Sequence, residues 1–260
     1  MEGRIACTGK GKVAVAVIGS PQTFVCESQP MNCEQLAIFE DLGVRLFTSP
    51  VVAPSPREQG AISKLLSEDE RRRFSGITHE GTRHEFLITR WLVRTTLGQL
   101  GEVDPASLRF TIGAHGRPSL ANPPAPLRQL DFNIAHSRQR IVVALASRRA
   151  VGVDLEPANR RVDHDLVARR FFHPREQQEL MGLELSRRRR RFLELWVLKE
   201  AWLKADGRGL SAGLPRVIFS FEHPAGPRLV SLPEASPDAW QVALRHWEGH
   251  LLALAVGPGR

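Results

Sequence analysis

The stretch RIVVALASRRAVGVDLEP, residues 140–157, contains two apolar segments separated by a short basic turn. Residues 140–147 form a nearly uninterrupted apolar run, which predicts a buried strand. Residues 151–157 predict a second strand directly after the turn RRA. Strands that follow one another through turns or single helices are typical of antiparallel sheet, so we expect an α+β fold.

Helical patterns precede each set of strands. Ser67 followed by Glu70 is a capping-box pattern, and a helical stripe of apolar residues continues from there to about Leu100. Later segments predict two short helices, 164–172 and 175–183, and a longer one that contains WVLKEAWLKADGRGL. Further strands are predicted in the segments 44–52, 108–120, 216–222, 239–247 and 251–257.

A pattern of helix followed by apolar strands occurs twice, in residues 67–150 and 164–257. We therefore expect two similar α/β subdomains, each an antiparallel sheet packed with helices. The predicted division is an N-terminal extension of residues 1–42, a first subdomain of residues 43–150 and a second of residues 151–260.

The composition limits the classes of function. The 260 residues carry a formal net charge of +8, which favours anionic partners. Arg is more frequent than Lys, and this favours phosphate binding by guanidinium groups. No segment approaches the roughly 18 apolar residues of a membrane-spanning helix. The short apolar run near the start follows a Gly- and Lys-rich lead, which is a poor signal-peptide pattern.

Cysteine use points to a reducing compartment. Cys7, Cys26 and Cys33 are odd in number and form no CxxC pair, so neither a disulfide framework nor a zinc site is indicated. We expect a cytoplasmic protein.

Asp154 and Glu156 are a candidate pair of metal ligands. Residues i and i+2 of a strand point to the same face, and two carboxylates there are costly unless a cation neutralises them. Mg²⁺ is such a cation, since it takes oxygen ligands. Spacing alone favours the alternative, a strand end whose polar residues face solvent.

Glu200 and Lys204 are a second candidate pair. They are four residues apart and share a helix face, close to Trp196 and Leu203. A half-buried Glu beside a Lys could be a third metal carboxylate with a phosphate-neutralising lysine, or a general base. A surface ion pair is equally consistent with the spacing.

Basic residues elsewhere are open to two interpretations. His136 in FNIAHS could bind phosphate or exchange protons near neutral pH, or it could close a turn. Arg117 in HGRP could face an anion or solvent. The arginines between positions 71 and 94, including Arg73 and Arg83, would most often form a solvated helix face. No Walker loop, GxGxxG, HExxH or GxSxG is present.

Taken in order, five motifs resemble those of the 4'-phosphopantetheinyl transferase superfamily, of the surfactin-synthetase-activating (Sfp) type. The resemblance covers about residues 44–257. The motifs are GRP (116–118), FNIAHS (132–137), GVDLE (152–156), RFFHPRE (170–176) and WVLKEAWLKADGRGL (196–210).

The resemblance implies a holo-[acyl-carrier-protein] synthase activity. Such enzymes move the 4'-phosphopantetheine group of coenzyme A to a serine of an apo acyl or peptidyl carrier protein, need Mg²⁺ and release adenosine 3',5'-bisphosphate. It also implies that Asp154, Glu156 and Glu200 hold the metal, and that Lys204 neutralises phosphate charge. Glu200 or a metal-bound water would deprotonate the serine.

The same resemblance implies the contacts to coenzyme A. His136 and Arg117 match positions that contact its nucleotide end, and Arg73 and Arg83 would be further phosphate contacts. Ala135 stands where the family usually has Ser, which removes one hydroxyl contact. We expect a monomer with coenzyme A between its halves and an acidic carrier protein as partner, and neither nucleic acid nor membrane.

Two rival interpretations remain at this stage. A metal-dependent nuclease also uses Asp, Glu and Lys around Mg²⁺, but it gives the GRP and FNIAHS motifs no role. A non-catalytic module that binds an acidic protein or nucleic acid through its arginines would leave Asp154, Glu156 and Glu200 unexplained.

Overall fold

The structure is a computed structural model that describes residues 33–137, 139–209, 213–232 and 236–259, and the backbone of residues 12–17 and 20–25. Its strands are β1 Lys12–Val17, β2 Ser20–Val25, β3 Glu34–Leu36, β4 Val44–Pro50, β5 Phe110–Ile112, β6 Pro118–Leu120, β7 Leu130–His136, β8 Arg140–Ser147, β9 Val151–Pro157, β10 Ile218–Ser220, β11 Arg228–Ser231, β12 Gln241–Trp247 and β13 His250–Val256. Its α-helices are α1 Pro56–Leu65, α2 Glu68–Ser75, α3 Glu80–Gly101, α4 His164–Phe171, α5 Pro174–Met181 and α6 Leu185–Asp206.

The first half of the chain builds a four-stranded antiparallel sheet. Its strand order is β3-β4-β8-β7, and α3 packs against it through a stripe that includes Trp91 and Leu92. The predicted strands at 44–52 and 140–147 are confirmed, because both are apolar enough to be buried in the sheet interior.

Capping boxes begin the first two helices of this half. Ser55 with Glu58 begins α1, and Ser67 with Glu70 begins α2, as the sequence predicts for the second pair. The predicted helical region from Ser67 to Leu100 is divided, because the chain leaves helical geometry after Ser75 and restarts at Glu80.

The second half builds a three-stranded antiparallel sheet in the order β12-β13-β9. The 22-residue α6 packs on β9 and β13, and α4 and α5 cover its other side. Because it is enclosed from two directions, α6 buries residues around most of its circumference, including Leu195, Leu198 and Trp202. The mixture of helices with antiparallel sheets confirms the α+β class.

Strands β8 and β9, although joined by a three-residue turn, belong to different sheets. Two side chains of β7 form hydrogen bonds with the backbone of β9. Asp131 Oδ2 accepts a hydrogen bond from the Val151 amide at 2.9 Å, and Asn133 Oδ1 accepts one from the Val153 amide at 3.1 Å. Side chains of β7 therefore satisfy backbone donors of β9, and this contact line is called the β7–β9 seam below.

The predicted boundary at residue 42 stays a prediction. In the described residues that precede it, β3 pairs with β4 and Phe39 is completely buried in the core. The backbone of β1 and β2 forms an antiparallel hairpin. No helix among the described residues is long and apolar enough to cross a membrane.

Gly152 is the point of closest approach between α6 and its sheet. A Cβ atom at this position would lie 2.0 Å from the carbonyl oxygen of Ala201 and 2.4 Å from the amide nitrogen of Ala205. Only hydrogen fits in this space, so the glycine allows the helix backbone to rest directly on β9.

We predict that Gly152→Ala destabilises the fold strongly, by about 3 kcal/mol or more, because the new methyl group must push α6 away from β9. Gly60→Ala is the matched control, since Gly60 is exposed in α1 and a Cβ there meets nothing within 4 Å. Urea denaturation of both variants measures the difference. Equal stability of the two variants would contradict the close approach.

Candidate active site

The packing of α6 on β9 brings Lys204 to Asp154. Lys204 Nζ lies 2.7 Å from Asp154 Oδ1 and 3.1 Å from the Val153 carbonyl oxygen. Asp154 is only 7% exposed, and its other oxygen, Oδ2, is buried without a hydrogen-bond partner. A buried carboxylate oxygen without a donor is rare, because it loses its hydration without compensation.

Glu156 lies on the same strand face and is held by two neighbours. Its carboxylate forms an ion pair with Arg160 and accepts a hydrogen bond from Trp196. Burial raises the pKa of Glu156, and the negative charge of Asp154 raises it further. The two carboxylates of β9 are therefore close enough to repel one another.

The carboxyl group of Glu200 has a strongly raised pKa. Burial, followed by the charge of Asp154, raises the pKa of Glu200 to about 7, although Lys204 acts in the opposite direction. Glu156 also contributes to this increase in the pKa. A carboxyl group with this pKa can accept or give up a proton near neutral pH.

His136 closes the same cleft at the end of β7. Its Nε2 lies 3.0 Å from Thr89 Oγ1 of α3. His136 is exposed toward the open cleft, yet desolvation by the surrounding walls lowers its pKa to about 4, with the charges of Lys204 and Arg90 contributing. The imidazole is therefore neutral at pH 7 when the cleft holds no anion.

The cleft between α3, β7, the 112–118 turn and the end of α6 has a volume of about 1010 Å³. Of the predicted residues it brings together Glu200, Lys204, His136, Arg73 and Arg117. Arg83 lies behind it, where its guanidinium donates to the carbonyls of Phe74 and Ile77 and packs 4.1 Å from the centre of the Phe74 ring.

The three carboxylates fit a divalent cation by their chemistry. They offer oxygen ligands, the charge of Asp154 raises the pKa of both Glu156 and Glu200, and Asp154 Oδ2 has no donor. Asp154 and Glu156 are each turned toward a cation of the chain itself. Accordingly, in the described part of the chain no three His, Cys, Asp or Glu side chains converge as a preformed metal site.

A buried ion pair beside the site escaped the sequence analysis. Lys199 Nζ lies 2.8 Å from Glu176 Oε2, and neither side chain is more than 1% exposed. Lys199 also donates to the carbonyls of Leu214 and Val217, and Glu176 accepts from the amides of His173 and Phe219. The pair fixes α5 and the 214–219 segment on α6. Its only sequence signal is that Lys199 and Glu176 each occupy a motif position.

Arg94 departs from the expected solvated helix face. It is 1% exposed and forms an ion pair with Glu70 at 2.6 Å, while its Nη1 donates to the carbonyls of Pro105 and Leu108. The helical spacing correctly predicts that Arg94 lies near Arg90 on α3. The contacts that bury it come from Glu70 of α2 and from the segment just after α3, and helical spacing within α3 reveals neither.

Comparisons with known proteins identify the family. Residues 150–255 match the family model described as the 4'-phosphopantetheinyl transferase superfamily, and residues 52–149 match that described as 4'-phosphopantetheinyl transferase, N-terminal. A protein of Nostoc, 4'-phosphopantetheinyl transferase HetI, is 32% identical over 65% of this chain and 70% of its own length. The chain belongs to the 4'-phosphopantetheinyl transferase superfamily.

Two further relatives refine this assignment. The putative 4'-phosphopantetheinyl transferase slr0495 of Synechocystis is 36% identical over 59% of this chain and 62% of its own length. The 4'-phosphopantetheinyl transferase Sfp of Bacillus subtilis is 28% identical over 70% and 77%. The prediction of an Sfp-type member of this enzyme superfamily is confirmed. The nuclease and binding-module interpretations gain no support from these relatives.

We predict that Glu200→Gln stabilises the metal-free protein at pH 8. The folded-state pKa of Glu200, about 7, lies above its usual value of 4.5, so the folded protein binds this proton more tightly than the unfolded chain. Stability is therefore lost as the pH rises from about 4.5 to 7, by on the order of 2–3 kcal/mol. The melting temperature of the variant should exceed that of the wild type at pH 8 and approach it at pH 4.5.

Glu80→Gln serves as the control for that measurement, because Glu80 is exposed at the start of α3. A Glu200→Gln difference that does not change with pH would contradict the raised pKa.

We predict that Lys199→Met costs about 3–5 kcal/mol, because it leaves the Glu176 carboxylate buried without its cation. The double variant with Glu176→Leu should lose less stability than the two single variants together. Chemical denaturation checks both statements, with Lys64→Met on exposed α1 as the control. Additive losses would show that the two groups do not depend on one another.

Proposed function

We propose that the protein transfers the 4'-phosphopantetheine group from coenzyme A to a serine of an apo carrier protein in a Mg²⁺-dependent reaction that releases adenosine 3',5'-bisphosphate. The observation that carries this proposal is the cleft in which Glu200 and Lys204 face Asp154 beside the basic residues Arg90 and His136. A negatively charged pyrophosphate needs cations such as Lys204 and Arg90, and the family assignment supplies the reaction type.

The reaction exchanges one phosphorus–oxygen bond for another. The serine Oγ attacks the phosphorus that carries the pantetheine arm, and the bond from this phosphorus to the adenosine 3',5'-bisphosphate oxygen breaks. The serine loses a proton, and the bisphosphate leaves with the additional negative charge. Little covalent help is required, so positioning and charge neutralisation account for most of the rate.

Glu200 is proposed as the group that receives the serine proton. In the metal-free protein the pKa of Glu200 is about 7, so this carboxylate is a stronger base than an ordinary one, and Mg²⁺ bound to it would lower this pKa and keep it ionised. Lys204 is one helical turn away, and its ammonium group, which pairs with Asp154 in the metal-free protein, would neutralise the charge that develops on the leaving phosphate. Both side chains line the cleft.

Asp154, Glu156 and Glu200 are the residues that would hold Mg²⁺. When bound, this ion supplies Lewis-acid chemistry and neutralises pyrophosphate charge. Asp154 offers the unpartnered Oδ2 for this purpose. The ion pairs of Asp154 with Lys204 and of Glu156 with Arg160 keep the carboxylates compensated in the metal-free protein.

The part of the cleft lined by Arg73, Phe86 and Arg90 is proposed to hold the nucleotide. Arg73 and Arg90 flank the ring of Phe86 there, at 5.9 and 4.9 Å from its centre. A phosphate beside His136 would raise the pKa of this imidazole above about 4 and add a cationic contact. Arg83 supports this end from behind the cleft.

The carrier protein is proposed to be acidic, because the chain has a net charge of +8 and complementary charge speeds association. We expect the protein to act as a cytoplasmic monomer. Its sparse cysteines fit a reducing compartment.

The reaction is tested by incubating the protein with coenzyme A, Mg²⁺ and a panel of apo carrier proteins, each weighed by mass spectrometry. A gain equal to one phosphopantetheine group is expected. It should be lost with EDTA, restored by excess Mg²⁺, and reduced by at least about a hundredfold in Glu200→Gln, which removes the proton acceptor.

Glu194→Gln is the matched control, since Glu194 is also half-buried on α6 but lies outside the cleft. This variant should retain the wild-type rate. If the folded protein neither binds coenzyme A nor modifies any carrier, the proposed function is wrong.

A further inference from the structure

The guanidinium group of Arg117 forms hydrogen bonds to acceptors within the protein. Its Nη1 donates to the carbonyl oxygen of Lys204, and its Nη2 lies 2.6 Å from Asp131 Oδ2. The same Nη2 is 2.9 Å from the Val151 carbonyl oxygen and 3.2 Å from that of Phe132. A single side chain therefore bonds to α6, β7 and β9.

The Lys204 carbonyl is one of the last acceptors of α6. The helix ends at Asp206, with Gly207 in the left-handed conformation, and carbonyls of a final helical turn need partners from outside the helix. A cation at this end is also favoured by the helix dipole. Arg117 supplies both the donor and the charge.

The turn that carries Arg117 packs against the end of α6. Gly116, at φ +81°, lets the chain turn back so that the Gly113 amide donates to the Arg117 carbonyl at 2.9 Å. A Cβ atom on Gly209 would lie 2.8 Å from the ring of His115. Two neighbouring residues of this turn thus contact the segment that ends α6.

Lys204 is consequently held at both of its ends. Its carbonyl is fixed by Arg117, and its ammonium group is fixed by Asp154 and the Val153 carbonyl. Arg117 also bonds to Asp131, which accepts the Val151 amide in the β7–β9 seam. The distance between α6 and Asp154 therefore depends on the Arg117 network.

We propose that Arg117 is a positioning residue, which sets Glu200 and Lys204 of α6 against Asp154 of β9, rather than a ligand of the nucleotide. This inference rests on the proposed function for its kinetic test. A phosphate contact would have to compete with four acceptors that already surround the guanidinium, one of them a carboxylate.

Arg117→Met tests the inference, because it preserves much of the side-chain length and removes all donors. The turnover rate should fall about tenfold to a hundredfold through misplacement of the α6 residues. The dissociation constant of coenzyme A, measured by calorimetry, should change by less than about threefold, which is below 1 kcal/mol. Amide hydrogens of residues 201–206 should exchange faster with solvent than in the wild type.

Asp131→Asn should reproduce these effects, and combining it with Arg117→Met should add little to either variant alone. Arg109→Met, at an exposed arginine outside the cleft, should match the wild type in every measurement. If Arg117→Met fails to fold, Arg117→Lys replaces it, since a lysine keeps the charge but cannot reach all four acceptors.

A large increase in the dissociation constant with unchanged amide exchange would overturn the proposal and make Arg117 a ligand of coenzyme A. Unchanged turnover and unchanged exchange would also overturn it. The exchange measurement needs neither coenzyme A nor a carrier protein, so it decides the positioning role even if the transferase reaction itself is absent.

Discussion

The direct contact between the backbones of α6 and β9 is the constraint on which the site depends. Gly152 leaves no side chain between them, and a Cβ atom there would collide with the Ala201 carbonyl. This approach places Lys204 within hydrogen-bonding distance of Asp154 and raises the pKa of Glu200 through burial and neighbouring carboxylates. The glycine two residues before Asp154 is thus as important to the chemistry as the groups that would perform it.

The two lysines of α6 illustrate how one helix separates stability from function. Lys199 points into the interior, where Glu176 and two carbonyls satisfy it, and burial lowers its pKa against the opposing effect of Glu176. Lys204 lies five residues later and faces the cleft. A spacing of five residues rotates the side chain by about 140° around a helix with 3.6 residues per turn. The two lysines therefore lie on different sides of α6, one in the interior and one in the cleft.

The sequence predicted the parts of the fold that are governed by local pattern. Residues 140–147 and 151–157 form strands with those bounds, because buried apolar runs leave few alternatives. The motif FNIAHS was not predicted as a strand, because its polar residues interrupt the apolar pattern. One of them, Asn133, accepts a hydrogen bond from β9, which explains a polar residue at this buried position. The cleft residues Glu200, Lys204 and His136 were found by motif. The partners of Arg117, Lys199 and Arg94 come from distant segments, so spacing could not supply them.

The β7–β9 seam also has a consequence for solubility. Each of these strands is at the edge of its own sheet, and an exposed edge is a template for pairing with other chains. Here the two edges cover one another, and Asp131 and Asn133 occupy the amides of Val151 and Val153 with side-chain acceptors. The sheets remain separate, yet neither of these edges is available to another molecule. The seam therefore protects two strand edges with the same side-chain acceptors that join the halves next to the cleft.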